Sequence, residues 1–135
     1  MAAVTISGNV TAVNIASVVT KIASEAIGAG EAVYLTTSGQ LALADADAAA
    51  SAIAVGVALA DADIGAPCPY VRNGGVLSVS GAPFTLAVAY YVSPTAGGIS
   101  PVADIMSGDF VTLLGIATST SLLPINIVSS GVALG

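Results

Sequence analysis

When the 135-residue sequence is slid against itself by 57 places, Val19 meets Val76, Ile22 meets Val79, Ile27 meets Phe84 and Tyr34 meets Tyr91. Self-similarity of this kind constrains a fold strongly, because each copy should form the same supersecondary unit. Two extra residues in the second copy, SPTAGG against TTSG, move the offset to 59. There Ala44-Asp45 meets Ala103-Asp104 and VGVA at Val55 meets LGIA at Leu114. The offset then returns to 57, setting Pro67 against Pro124, Val71 against Val128 and Gly74 against Gly131. Length changes confined to turns are what a repeated fold tolerates. The chain therefore reads as an N-terminal arm, residues 1–18, and a β-domain, 19–135, containing internal repeats 19–75 and 76–132.

Inside each repeat, short apolar runs alternate with turn signals. Ala32 to Leu35, then Thr36 to Gly39, then Leu41 and Leu43 read as strand, tight turn and strand. Pro69 to Arg72 followed by Asn73-Gly74-Gly75 and Val76, Leu77 and Val79 predicts a second hairpin, since Asn-Gly between apolar runs favours its turn. Ala46 to Ala50 predicts at most a turn or two of helix. Ile53 to Leu59 predicts a strand, with Ile53, Val55, Val57 and Leu59 on a bulky face and Ala52, Ala54, Gly56 and Ala58 on a flat one. The flat face suits close packing against another sheet or another protein. Ile15, Val18, Val19, Ile22 and Ala26 have helical spacing, with Asn14 as a cap, Gly28 as a stop and Lys21/Glu25 at i,i+4. The repeat instead assigns Val19 to Ile22 to a strand, and the strand is preferred. The expected fold is all-β, a small barrel or sandwich built from two duplicated β-units, with an extended N-terminal arm.

Charged residues make up only 7% of the chain, against roughly 25% in ordinary soluble domains. Lys21 and Arg72 are the only basic side chains, too few to neutralise a nucleic-acid backbone or hold an anionic membrane surface. The longest apolar run, Ala48 to Ala60, is too short to span a bilayer as a helix and is fenced by Asp45, Asp47, Asp61 and Asp63. The N-terminus lacks the basic and apolar blocks of a signal peptide, so the chain is expected to stay where it is made. Cys68, flanked by Pro67 and Pro69, has no partner for an internal disulfide and is expected to be a buried thiol.

The sequence contains no histidine, which removes the usual Ser/His and Cys/His nucleophiles and the commonest ligand of zinc and iron. No catalytic residue, cofactor or enzyme activity is assigned. Asp45/Asp47 and Asp61/Asp63 are both D-A-D, which puts each pair on one side of an extended strand. Four carboxylates could bind a cation such as Ca²⁺ if the two turns met, and paired carboxylates also serve glycosidases. The plainer reading makes them solvated turn residues that keep a nearly neutral surface soluble. Gly28-Ala29-Gly30 and Asn73-Gly74-Gly75 lack the spacing of phosphate loops. Tyr34, Tyr90 and Tyr91 fit core or interface aromatics better than a base-stacking platform.

The segment AIGAGEAVYLTTSGQLALADADAAASAIAVGVALADADIGAPCPYVRNGGVLSV resembles the capsid cement, or decoration, proteins of tailed bacteriophages. Ala29-Gly30, Val33-Tyr34-Leu35, Gly39, Leu43-Ala44-Asp45-Ala46, Ala54, Gly56, Ala58 and Gly74-Gly75 match that family's AG-x-x-VYL strand, glycine turn, L-x-LADA segment, A-x-G-x-A strand and closing glycine hairpin. The resemblance covers the middle half of the chain clearly and the second repeat more loosely. It implies a non-enzymatic virion protein, made in the host cytoplasm and bound to the capsid exterior across junctions of the major capsid protein, with neighbouring copies of itself as a further partner. An uncharged contact surface of small residues loses little side-chain entropy and strands no charge, and many modest contacts on one lattice add up. The arm is expected to lie along a neighbouring subunit, adding a strand, with Val4, Ile6, Val10, Val13 and Ile15 as candidate capsid contacts. The rival reading is a secreted or surface-exposed β-module, adhesin-like or fibre-like.

Overall fold

The computed structural model describes residues 9–13, 17–81, 83–101 and 105–133. The strands are β1 Val10–Ala12, β2 Val18–Ile22, β3 Ala32–Leu35, β4 Leu41–Leu43, β5 Ala54–Ala58, β6 Pro67–Arg72, β7 Val76–Val79, β8 Ala89–Val92, β9 Ile99–Pro101, β10 Phe110–Ile116, β11 Leu122–Pro124 and β12 Val128–Ala133. No α-helix occurs among the described residues. Among the described residues the fold is all-β and sandwich-like, with three antiparallel sheets and no closed barrel. Their orders are β2-β6-β5-β3-β4, β12-β10-β8-β9 and β1-β7-β11.

The first two sheets repeat one pairing scheme. Ala32, Val33 and Tyr34 of β3 face Val57, Gly56 and Ala54 of β5, and Ala89, Tyr90 and Tyr91 of β8 face Ile116, Gly115 and Leu113 of β10. One strand is displaced by 57 positions and its partner by 59, with a bulge at the same place, Val55 in β5 and Leu114 in β10. The β8–β9 hairpin pairs Tyr91 with Ser100 where β3–β4 pairs Tyr34 with Ala42. Only one of the two extra residues therefore sits in that turn, and the other falls between β9 and β10.

The return to an offset of 57 differs from the register observed. Val19 pairs with Tyr70 in β2–β6, and Val76 pairs with Pro124 in β7–β11. Pro124 thus occupies the place of Tyr70, not of Pro67. In the first half β6 bonds to both β2 and β5 and unites five strands. In the second half that strand is divided, β11 pairing with β7 and β12 with β10. Pro124 has no N–H to continue a ladder. The amides after it turn elsewhere: Ile125 donates to Gly75 O (2.8 Å), Asn126 to Leu114 O (2.8 Å) and Ile127 to Asn73 Oδ1 (2.6 Å).

Those bonds also correct the expected hairpin at Asn73-Gly74. The turn closes, with Gly75 N donating to Arg72 O at 3.0 Å, and Gly74 has φ +92°, which favours glycine. Yet β6 and β7 do not pair, because they belong to different sheets. The turn is held by the 125–127 segment and links one layer to the next.

Two clusters fill the interior. The larger joins Ala32, Ala54, Val57 and Val71 of the five-stranded sheet to Leu77, Val79, Phe84, Tyr90, Val92, Ile99, Leu114 and Leu123. The smaller gathers Ala23, Ile27, Val33, Leu41, Ala58, Ala62, Cys68 and Tyr70 against the opposite face of that sheet. Phe84 and Tyr90 meet edge to face, with centroids 5.2 Å apart, a favoured aromatic geometry.

The division of β5 into a bulky and a flat face does not hold. Val57 belongs to the larger cluster and Val55 packs on the smaller. Ala54 and Ala58 are likewise split between the two. A bulge adds one residue, and with a side-chain period of two, one extra residue exchanges the faces. Both faces of β5 are buried against the chain itself, leaving no flat face for a partner. Ala46 to Ala52 form a short loop with a single helical turn, Ala52 N donating to Ala48 O at 3.0 Å. Val19 to Ile22 lie in β2, as the repeat predicts.

Candidate functional site

Of the paired carboxylates, Asp45 caps its own turn and Asp61 reaches a distant one. The Asp45 carboxylate accepts from Asp47 N (3.0 Å), and Ser51 Oγ donates to Asp45 O (2.8 Å), which closes the alanine-rich loop. Asp61 accepts from Ala29 N (2.8 Å), and Asp63 O accepts from Ala66 N (3.0 Å). The Asp45 contact forms because a short carboxylate reaches the backbone N–H two residues on. The two D-A-D segments do not combine: among the described residues no three acidic or thiol groups are arranged to hold a metal ion. Asp109, absent from the sequence-based candidates, stands near Asp47 instead. Repulsion from Asp45 first, then desolvation and Asp109, holds the Asp47 carboxyl above the usual carboxylate range. Asp109 itself accepts from Met106 N at 2.8 Å. The 61 residues between Asp47 and Asp109 hide that proximity from any local pattern.

A cleft of about 230 Å³ lies between the Ala29–Glu31 turn and the β8–β9 turn, lined by Glu31, Thr95 and Gly97 among others. The Glu31 carboxylate accepts from Gly28 N, and Gly97 N donates to Ala44 O at 2.7 Å. Gly97 has φ +76°, and a methyl there would lie 2.7 Å from Glu31 Oε2. The cleft is thus a packed junction of turns with one carboxylate that is already engaged. A shallower groove of about 480 Å³ lies along Asn73–Val76 and Pro124–Asn126.

Cys68 is fully buried, and burial pushes its thiol up from the ordinary range. Tyr70 is shifted upward by burial too, with Arg72 opposing. Tyr90 lies in the core, with its hydroxyl accepting from Thr85 N (2.8 Å). Tyr34 and Tyr91 are half-buried on their sheets. Lys21 and Arg72 are both exposed.

No protein-family model, curated protein or solved structure matches this chain.

Of the candidate capsid contacts, Val10 and Val13 can be placed. Val10 is half-buried and packs against the chain's own larger cluster, while Val13 is 63% exposed. β1 is held on β7, pairing Val10 with Val79 and Ala12 with Leu77. Val4, Ile6 and Ile15 lie outside the described residues.

The four-stranded sheet carries an apolar outer face. Side chains alternate along β8 and β10, and Tyr90, Val92 and Leu114 point into the core. Ala89, Tyr91, Leu113 and Ile116 therefore occupy the opposite face, joined by Val128, which pairs with Leu113. Ile116 is 53% and Val128 56% exposed. Sequence reading missed this face because the bulge at Leu114 sets which residues reach it.

Proposed function

We propose that this chain is a structural virion protein that binds the outer surface of an icosahedral phage capsid and stabilises it across junctions of the major capsid protein. The observation that carries the reading is the run of residues resembling capsid cement proteins. Those residues fall consecutively on one sheet: Val33-Tyr34-Leu35 in β3, Gly39 in its turn, Leu43 to Ala46 from β4 into the loop, Ala54, Gly56 and Ala58 in β5, and Gly74-Gly75 after β6. The matching positions thus form one packed unit, not a scatter of similar letters.

Charge distribution supports the same reading. A surface with few ionised groups gives up little hydration when it meets another protein, and repetition on a lattice multiplies weak contacts. The proposed role needs no catalytic group and no cofactor. Its test is co-sedimentation with phage shells assembled without this chain, followed by heating. Binding at saturable stoichiometry, with a higher shell disruption temperature, is the expected result. No association with shells, together with recovery of the chain in the cell envelope, would replace this reading by that of a surface β-module.

A further inference from the structure

We propose that Asn73-Gly74 is a latent modification site: an asparagine that converts to isoaspartate when the chain opens, and that segment 125–127 holds unreacted while the chain is folded. Asparagine loses its side-chain amide when the backbone nitrogen of the next residue attacks Cγ, and a following glycine leaves that nitrogen uncrowded. The chain has four asparagines. Asn9, Asn14 and Asn126 are followed by Val10, Ile15 and Ile127, whose β-branched side chains crowd the attacking nitrogen. Asn73 alone precedes a glycine.

The reaction balances with water as its sole co-reactant. Gly74 N bonds to Asn73 Cγ, the Cγ–Nδ2 bond breaks, and ammonia leaves with the proton that Gly74 N gave up. Water then opens the cyclic imide. Addition at the former side-chain carbonyl gives aspartate, and addition at the backbone carbonyl gives isoaspartate, in which the main chain runs through Cβ and Cγ. Because ammonia is lost, refolding does not reverse the change.

Asn73 and Gly74 are both exposed, so bonding, not burial, is what protects them. The Gly74 N–H, which must lose its proton to attack, donates to Ile125 O (2.9 Å). Asn73 Oδ1 accepts from Ile127 N (2.6 Å), which keeps the side-chain amide turned toward that residue. Ring closure must give up the first bond and swing Cγ away from the second. Ile125 N also donates to Gly75 O (2.8 Å), and the Ile125 side chain is only 2% exposed in the main cluster. The segment therefore leaves Asn73 only by drawing a core residue outward. Protected amides react through such openings, so isoaspartate at position 73 records time spent with the junction between the layers open.

Incubating the full chain in mildly alkaline buffer, with and without guanidinium, tests this. Peptide mapping by mass spectrometry follows the amide-to-acid conversion, and labelling by an isoaspartyl methyltransferase identifies the product. Conversion is expected at Asn73, at least about tenfold more slowly in the native chain than in denaturant. Ile125→Val, which loosens the anchor of the segment, should speed the native reaction at least about threefold and leave the rate in denaturant unchanged. Asn73→Gln should abolish the labelling under both conditions. Equal rates with and without denaturant overturn the proposal, as does an absence of conversion in denaturant. Native conversion at Asn9 or Asn126 ahead of Asn73, or a native rate untouched in folded Ile125→Val, overturns it as well.

Discussion

Gly56 and Val71 meet backbone to backbone: a methyl on Gly56 would lie 2.0 Å from the Val71 carbonyl oxygen. Gly115, its equivalent in β10, stands 1.9 Å by the same measure from the Pro124 carbonyl oxygen. Neither neighbour is a flexible side chain that could swing away, so an added Cβ must push strands apart. Gly56→Ala and Gly115→Ala should each destabilise by about 3 kcal/mol or more. Urea denaturation checks this, and a loss below about 1 kcal/mol would mean that the strands adjust freely.

Leu114 and Ile116 stand two positions apart in β10, but one is fully buried and the other 53% exposed. Leu114→Ala leaves a cavity in the main core and should cost about 2–5 kcal/mol. Ile116→Ala in the isolated chain should stay within about 1 kcal/mol. Equal costs at the two sites would mean that the bulge does not orient β10 as described.

Much of this architecture was legible because alternating strands leave a pattern that survives sequence drift. Val33, Tyr34, Tyr90 and Tyr91 mark β3 and β8 in the sequence, and their ladders coincide. The bulges were not legible, since Val55 and Leu114 look like ordinary strand residues and an extra residue in a ladder is a backbone event. Pro67/Pro124 and Gly74/Gly131 are true identities that mislead. The register follows the hydrogen bonds of Tyr70 and Pro124, three places away. In the candidate site, the local capping by Asp45 was readable, whereas the approach of Asp109 to Asp47 depends on how two distant turns meet.

Asp47 gives a pH signature of definite sign. Its carboxyl is raised above the ordinary range, chiefly by Asp45, so the folded chain holds that proton more firmly than the unfolded chain. Stability should therefore fall as pH rises through the window just above the unfolded carboxylate pKa, and the repulsion persists at neutral pH. Asp47→Asn should raise Tm at pH 7 slightly and flatten the profile just above the ordinary carboxylate range. A variant less stable than the parent at pH 7 would show that the Asp47 charge is favourable.

Cys68 should resist thiol reagents while the chain is folded. Full burial and the upward shift of its thiol both suppress the thiolate. A chromogenic disulfide reagent at pH 8 should titrate one thiol in denaturant and react at least about 100-fold more slowly without it. Fast labelling of the native chain would indicate that β6, which carries Cys68, opens readily.

The N-terminal strand decides whether the beginning of the chain serves its own fold. β1 is an edge of the three-stranded sheet, and β7 is paired on its other side by β11. Val10 and Ala12 also pack on the main cluster, and Asn9 N donates to Ser80 Oγ at 2.8 Å. Removing residues 1–13 strips a ladder from β7 and opens Leu77 and Val79, both fully buried, toward solvent. Such a truncation should lower stability by about 2–4 kcal/mol, from lost apolar burial and unmade backbone hydrogen bonds. Removing residues 1–8 alone keeps β1 and its ladder to β7. If shell binding is lost in the shorter deletion while stability is kept, the first residues act on a partner. If both deletions keep stability, β1 is dispensable to the core, and the packing of Val10 contributes little.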